Sequence, residues 1–332
     1  MTSSVTLPGP TADPSVAAAV SASLALVEDR LRGVVRSSHP LLAQASVHLV
    51  EAGGKRFRPL LTLLAAHLGD PDRPEVVEAA VVVELTHLAT LYHDDVMDEA
   101  AVRRGAASAN ARWTNTVAIL TGDYLFARAS DVVAGLGPEP VRIQARTFAR
   151  LVEGQIAETA GPADGEDPVA HHLQVVADKT GSLIATSARL GALLAGADLD
   201  DVETVARFGE VIGVAFQLSD DLIDVLSETA ESGKTPGTDL REGIRTLPVL
   251  LALQDASPEG ARLRELLTGD LTDDHRLAEA LDLLRGSPAL SAAQERLAAF
   301  VQEARDVAGA LPAGGAREAL IEVTGLVQQR TG

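Results

Sequence analysis

The sequence predicts an all-α fold, a single-domain bundle of ten or more helices, from three observations. Ala, Leu and Val dominate the 332 residues and aromatic residues make up only 3%, so small aliphatic side chains fill the interior. Long stretches lack the alternation of apolar and polar residues that is typical of strands. Proline and glycine recur at intervals that suit helices with short connections.

The individual helices are predicted from the apolar periodicity between these proline and glycine positions. In chain order they span residues 15–32, 41–51, 59–67, 75–98, 114–133, 140–159, 168–194, 200–226 and 246–254, followed by several shorter ones. The helices at 75–98 and 200–226 are apolar on nearly every side, which predicts that both are buried. Residues 1–14 are rich in Ser, Thr and Pro and are expected to be disordered, which leaves 15–332 as one domain.

The bulk properties exclude several classes of protein. A formal charge of −19 argues against a nucleic-acid partner, and the absence of cysteine excludes disulfides, thiolate catalysis and cysteine-ligated metals. The apolar stretch at 79–92 is interrupted by Glu84 and His87, so no transmembrane segment is expected. The first residues carry no Lys or Arg and do not resemble a secretory signal, so a cytoplasmic protein is expected.

Both buried helices end in aspartates with the same spacing. Residues 93–98 read HDDVMD and residues 219–224 read SDDLID, so each cluster has Asp at positions i, i+1 and i+4. On a helix the first and last of these lie about 6 Å apart along the axis. Mg²⁺ relieves their repulsion by binding carboxylates together with water and substrate phosphates. Two facing clusters therefore predict a diphosphate held through several Mg²⁺ ions, and the alternative is a pair of solvated acidic helix ends.

Cations cluster in two places along this acidic chain. Residues 53–59 read GGKRFRP, and residues 103–105 read RRG a few positions after the first aspartate cluster. Glycine lets backbone approach a phosphate closely, and arginine offers forked donors to its oxygens. These stretches predict the cationic half of a phosphate site, or alternatively basic surface patches.

Together these stretches resemble the trans-type prenyl diphosphate synthases, also called polyprenyl synthetases. The resemblance covers about residues 53 to 248, with the family's motifs in order: GGKRxRP (53–59), HDDxxD with RRG (93–105), GDY (122–124), KT (179–180), FQxxDDxxD (216–224), and GKTPGTDL with TLP (233–248). It implies an isoprenoid-synthase-type bundle around a central cavity, usually a homodimer, with three Mg²⁺ ions expected in each active site.

The resemblance also implies a role for each matching residue. The main Mg²⁺ ligands are expected to be Asp94, Asp98 and Asp220, supported by Asp95, Asp221 and Asp224. The allylic diphosphate would be held by Arg103, Lys179, Thr180, Gln217 and Lys234. Isopentenyl diphosphate would be held by Lys55, Arg58, His87 and Arg104, in a pocket shaped by Gly54. Asp94, Asp98, Asp220, Lys179 and Arg103 would be the catalytic residues.

The implied reaction is a head-to-tail prenyl transfer. The allylic C–O bond ionises, the double bond of isopentenyl diphosphate attacks the cation, and a proton is lost to the departing diphosphate, while apolar walls exclude water. Family members have Lys directly after the glycine at 243, whereas this chain has Ile244 followed by Arg245. Whether Arg245 takes over that role is open. The Thr180-Gly181 pair also predicts a local break in the helix at 168–194.

Two small residues before the first cluster bear on product length. In the family the residues four and five positions before the first aspartate face down the cavity, and here they are Thr90 and Ala89. Five helical residues put Ala89 about 7–8 Å below Asp94, and its small side chain leaves a channel open. We expect an all-trans product longer than twenty carbons, destined for a quinone side chain. Tyr92 is expected to pack in the core.

Other functions explain fewer residues. A metal phosphohydrolase of the HD type would use His93-Asp94 but leaves the second cluster and Arg103-Arg104 unexplained. A diterpene-type cyclase would carry an Asn/Ser/Glu motif in place of 220–224. A regulatory subunit of a heteromeric synthase would have lost one aspartate cluster. A farnesyl or geranylgeranyl diphosphate synthase is the alternative with a shorter product.

Overall fold

The computed structural model describes residues 13–227 and 236–330 and is almost entirely helical, as predicted. In chain order its elements are α1 (Pro14–Val34), α2 (Pro40–Glu51), α3 (Phe57–Ala66), α4 (Pro74–Met97), β1 (Val102–Arg103), β2 (Ala106–Ala107), α5 (Ala109–Arg112), α6 (Asn115–Ala134), α7 (Pro138–Ala160), α8 (Pro168–Val176), a π-helical turn (Ala177–Gly181), α9 (Ser182–Leu194), α10 (Leu199–Leu226), α11 (Thr238–Arg241), α12 (Leu247–Gln254), α13 (Ala261–Leu267), α14 (Asp274–Arg285), α15 (Pro288–Gly309) and α16 (Gly315–Gln329).

Side-chain caps explain where several helices begin. Asp13 accepts a hydrogen bond from the backbone N–H of Ser15 at 2.9 Å, and α1 starts at Pro14. Thr114 caps α6 and Asp167 caps α8 in the same way. Such caps satisfy backbone donors that have no partner within the helix. The predicted disordered tail, apart from its last two residues, lies outside the described residues.

A short hairpin is the feature that the sequence pattern did not predict. Strands β1 and β2 pair antiparallel, with Val102 opposite Ala107. Arg104 and Gly105 at its tip have φ angles of 53° and 76°, the left-handed backbone that two-residue hairpin loops require. Strands of two residues are too short to show alternation, so the sequence pattern carries no signal for them.

The predicted break in the helix at 168–194 is confirmed. A π-helical turn at Ala177–Gly181 separates α8 from α9, and it contains Lys179 and Thr180. A π-turn inserts one extra residue into the helical repeat, which changes the direction of the side chains that follow.

The chain divides into two compact units. The first comprises Met1–Ala149, Leu183–Gly209 and Val307–Leu320, and the second comprises Arg150–Ser182, Glu210–Asp306 and Ile321–Gly332. In the first unit, α4 packs against α1, α3 and α6. In the second, α12 packs against α8, α13 and α14. A single domain over 15–332 stays a prediction.

Helix α4 forms the interior of the first unit, as its apolar sequence predicted. Its buried residues include Val81, Val82 and Val83, which lie about 100° apart around the helix axis and so face different sides. Within the described residues it is the helix long and apolar enough to cross a membrane, and most of that apolar stretch is buried inside the fold. Buried apolar helices of soluble proteins have the same composition.

Candidate active site

The first aspartate cluster lies at the C-terminal end of α4. Asp95 is fully buried, and its Oδ1 accepts a hydrogen bond of 2.6 Å from Nε of Arg103 in the hairpin. Its Oδ2 is also buried and has no hydrogen-bond partner in the described part of the chain. Asp98 caps α4, and its exposed carboxylate lies 4.0 Å from Nη2 of Arg103. The hairpin thus brings Arg103 onto the cluster.

Arg104 is held in place by the end of α2 and the loop after it. Its Nη1 donates to the carbonyl oxygen of Leu49 at 3.1 Å and to that of Gly53. A Cβ at position 54 would lie only 2.9 Å from Cζ of Arg104. Gly54 also has a φ angle of 143°, which residues with a side chain rarely adopt, so both the backbone and the nearby guanidinium favour glycine at 54. Burial, opposed by attraction to Glu84, lowers the pKa of Arg104 below its usual value.

His87 marks a place where several predicted cations converge. Burial, together with the nearby guanidiniums of Arg58 and Arg104, holds the pKa of His87 well below its usual value of 6.5. The imidazole keeps a little solvent access, but its surroundings disfavour a further positive charge. His87, Arg58 and Arg104, which the sequence assigned to one diphosphate, therefore lie near one another, while the side chain of Lys55 is exposed.

Arg56 differs from its neighbours because it is part of the core. It is 4% exposed, and its guanidinium donates to Glu84 Oε1 at 2.7 Å and to Glu28. Glu84 is 2% exposed in the middle of α4. A buried carboxylate requires a cationic partner. Glu84, a charged residue within an apolar helix, was therefore the sequence signal for its buried ion pair with Arg56.

The second aspartate cluster lies near the end of α10 and is connected to the π-turn. Thr180 Oγ1 lies 3.2 Å from Oε1 of Gln217, and Nε2 of Gln217 donates to Asp221 Oδ1 at 3.0 Å. Lys179 forms an ion pair with Glu158 of α7. Of the residues that the sequence assigned to the allylic diphosphate in this region, Thr180 and Gln217 are therefore connected to Asp221 by hydrogen bonds, whereas Lys179 is paired with Glu158.

Each aspartate of the second cluster has a different environment. Asp221 is 3% exposed, and its buried Oδ2 has no hydrogen-bond partner among the described residues. Nε2 of His172 lies 3.3 Å from that oxygen without the alignment of a hydrogen bond. Asp220 forms an ion pair with Arg330 at 2.5 Å. The carboxylate of Asp224 accepts backbone N–H groups of α11, at 3.2 Å from Thr238 and 3.2 Å from Asp239.

Each cluster, taken by itself, fits the chemistry of magnesium binding. Each offers a buried carboxylate oxygen without a hydrogen-bond partner in the described ranges, Asp95 Oδ2 and Asp221 Oδ2. Burying such an oxygen costs free energy unless a cation or a hydrogen-bond donor reaches it. Within the described residues no three His, Asp or Glu side chains form a ready-made metal cage. Mg²⁺ in phosphate sites takes one or two carboxylates and completes its shell with water and substrate oxygens. The carboxylates of each aspartate cluster fit this requirement.

The residues predicted to bear on product length, and those that follow the glycine at 243, differ in burial. Ala89 is fully buried, and Thr90 is 8% exposed with its hydroxyl bonded to the carbonyl of His87 at 2.8 Å. Tyr92 is buried in the core, as expected, and its hydroxyl bonds to Ala45 of α2. Ile244 and Arg245 are exposed. Lys234 lies outside the described residues.

Comparison with known proteins places the chain in a family. Residues 39–284 match the family model described as polyprenyl synthetase. The chain is 51% identical to the nonaprenyl diphosphate synthase of Mycobacterium tuberculosis, over 96% of both chains. It is 45% identical to the dimethylallyltranstransferase of the same organism, over 93% of this chain and 94% of that one.

Solved structures give the same result. A geranylgeranyl pyrophosphate synthase from Corynebacterium glutamicum, complexed with calcium and isoprenyl diphosphate, superimposes with a TM-score of 0.88 at 45% identity, over 98% of this chain and 100% of that one. The fold is therefore that of the isoprenoid synthases, and the chain is a prenyltransferase. It belongs to the polyprenyl synthetase family.

Proposed function

We propose that the protein condenses isopentenyl diphosphate head to tail with an allylic diphosphate and releases an all-trans polyprenyl diphosphate. The observation that carries this proposal is the pair of buried carboxylate oxygens, Asp95 Oδ2 and Asp221 Oδ2, one in each aspartate cluster. A buried anionic oxygen without a hydrogen-bond partner in the described residues favours a bound cation. Bound Mg²⁺ would neutralise the charge of the diphosphate leaving group.

In this proposal the aspartates Asp94, Asp98 and Asp220 hold Mg²⁺, with Asp95, Asp221 and Asp224 in support, and three ions serve each active site. The calcium and isoprenyl diphosphate named with the Corynebacterium structure support the use of a divalent metal. The exposed carboxylate of Asp98 suits a direct Mg²⁺ ligand. The buried carboxylate of Asp95 suits a supporting role.

The chain's cations perform the rest of the chemistry. Arg103, Lys179, Thr180, Gln217 and Lys234 bind the allylic diphosphate and stabilise the charge that develops as its C–O bond breaks. His87 donates one N–H to isopentenyl diphosphate as a neutral imidazole, because its pKa is held low by burial and by Arg58. Lys55, Arg58 and Arg104 provide the positive charge, and Gly54 leaves room for Arg104.

The product is proposed to be longer than twenty carbons. The small side chains of Ala89 and Thr90 and the 51% identity to a nonaprenyl diphosphate synthase support a long chain. The 45% identity to a geranylgeranyl pyrophosphate synthase favours the shorter alternative. Use of the product in a quinone side chain stays a prediction.

Assembly and location complete the proposal. We expect a homodimer in the cytoplasm, with 15–332 acting as one catalytic domain. Ile119 and Leu120 on α6 support self-association, because they are 42% and 59% exposed and adjacent large apolar side chains favour a partner surface.

One incubation tests the proposal. Purified protein is given labelled isopentenyl diphosphate, Mg²⁺, and dimethylallyl, geranyl, farnesyl or geranylgeranyl diphosphate in turn, and the products are separated by chromatography. Elongated products that depend on Mg²⁺ support the function and reveal primer and length together. Absence of any elongation with all four primers would reject it.

A further inference from the structure

The π-turn carries two of the proposed diphosphate ligands, Lys179 and Thr180, at successive positions. A π-turn departs from the regular helical hydrogen-bond pattern and is found frequently at functional sites. The shape of this turn decides where both side chains point. Any residue that fixes the turn therefore also positions them.

Two glycines bring neighbouring helices close to the turn. A Cβ on Gly154 of α7 would lie 2.8 Å from Cβ of Asp178 and 3.1 Å from the backbone nitrogen of Lys179. A Cβ on Gly181 would lie 3.2 Å from the carbonyl oxygen of Glu210 on α10. The first two distances are shorter than ordinary van der Waals contacts, so α7 packs directly on the turn only because residue 154 has no side chain.

Arg150 of α7 bridges the turn and α10. Its Nε donates to Oδ1 of Asp178 at 2.5 Å, and its Nη2 donates to Oε1 of Glu210 at 2.5 Å. The other oxygen of Asp178 accepts a hydrogen bond of 2.9 Å from Gln174. Asp178 is thus held at both oxygens, and the planar fork of one guanidinium joins two carboxylates.

We propose that Arg150 is a positioning residue for prenyl transfer, clamping the π-turn so that Lys179 and Thr180 are set for the allylic diphosphate. This inference rests on the function proposed above. Without the guanidinium, the carboxylate of Asp178 would lie beside Lys179 with its charge uncompensated, where it would attract the ammonium group and repel a diphosphate. Hydrogen bonds between Thr180 and Gln217 and between Gln217 and Asp221 connect the turn to the second aspartate cluster.

The test compares Arg150→Gln and Arg150→Lys with Arg262→Gln. Arg262 is a matched control because it makes a two-pronged ion pair with Glu279, at 2.8 Å through each nitrogen, between α13 and α14. Arg150→Gln is expected to raise the KM for the allylic diphosphate about tenfold and to leave the KM for isopentenyl diphosphate within about twofold. Arg150→Lys should recover part of the loss, because an ammonium reaches one carboxylate at a time. Arg262→Gln should change neither KM.

A second variant and a second readout protect the test against misfolding. Gly154→Ala keeps every charge but adds a methyl group that clashes with Asp178. It should raise the KM for the allylic diphosphate as Arg150→Gln does. Binding of inorganic diphosphate with Mg²⁺, measured by calorimetry, should weaken in Arg150→Gln and in Gly154→Ala. The inference is overturned if folded variants bind diphosphate as the wild type does, or if both KM values rise equally. A wild-type protein that makes no product would instead reject the proposed function itself.

Discussion

Arg330, the residue directly after α16, and Asp220 of α10 are 110 positions apart in sequence, yet Nη2 of the arginine lies 2.5 Å from Oδ1 of the aspartate. The guanidinium carbon of Arg330 also lies 4.5 Å from the centre of the Phe216 ring. Stacking on an aromatic face and pairing with a carboxylate both fix a guanidinium. A proposed metal ligand is thus paired with a cation supplied by the protein.

This pairing leads to a prediction about metal affinity. Because Arg330 and Mg²⁺ compete for the same oxygen, Arg330→Gln should lower the Mg²⁺ concentration for half-maximal activity by about threefold to tenfold. A magnesium titration of initial rates measures this, with Arg317→Gln on α16 as the control. An unchanged or higher magnesium requirement would contradict competition at Asp220.

Removing a proposed ligand carboxylate should abolish turnover. Asp94→Ala or Asp220→Ala is expected to lower kcat about a thousandfold or more, because charge stabilisation of the leaving group is lost. Thermal unfolding followed by circular dichroism should show that the helices remain. Asp164→Ala, in an exposed loop, is the control. Near-normal rates in either ligand variant would reject the metal assignment.

Enlarging residue 89 should shorten the product. Ala89 is fully buried, so Phe at this position either fills a channel or overpacks the core, and overpacking typically costs about 1–3 kcal/mol. Ala89→Phe with shorter products and a nearly unchanged melting temperature indicates a channel. The same product lengths as the wild type would show that another residue sets the limit.

The depressed pKa of His87 predicts a loss of stability in acid. Below pH 6.5 the unfolded chain takes up a proton at His87 that the folded protein excludes, because burial and Arg58 disfavour the charged ring. The unfolded state then binds more protons, so the free energy of unfolding falls by about 1 kcal/mol between pH 6.5 and 5.5. Urea unfolding at several pH values measures this. His87→Gln should flatten the dependence, and an equal slope in both proteins would contradict the burial of a neutral imidazole.

The proposed homodimer can be tested at α6. Leu120 is 59% exposed and Leu26 of α1 is 57% exposed, so the two leucines offer a matched comparison. Leu120→Glu places a charge in the proposed interface and should give monomers by light scattering, while Leu26→Glu should remain dimeric. Identical masses for both variants would place the interface elsewhere or show that the protein is a monomer.

The local sequence was enough to predict the helical class, the two buried helices and the aspartate clusters. These features depend on periodicity and on spacing within one or two turns. Asp95 and Asp221 are buried together with the apolar residues around them. The hairpin at Arg103–Arg104 was missed because two residues per strand leave no periodic signal, although the Arg104-Gly105 pair is compatible with the turn that forms.

The sequence by itself determined the class of the chain, its family and the residues proposed to carry its charge chemistry, because spacing along a helix fixes which side chains are neighbours. Only the tertiary structure decided the partners of those residues. Arg150 reaches Asp178 across 28 positions and Glu210 across 60, and no local pattern encodes such a pair. An ion pair between distant segments depends on how helices pack, and packing is set by the fit of many small side chains together.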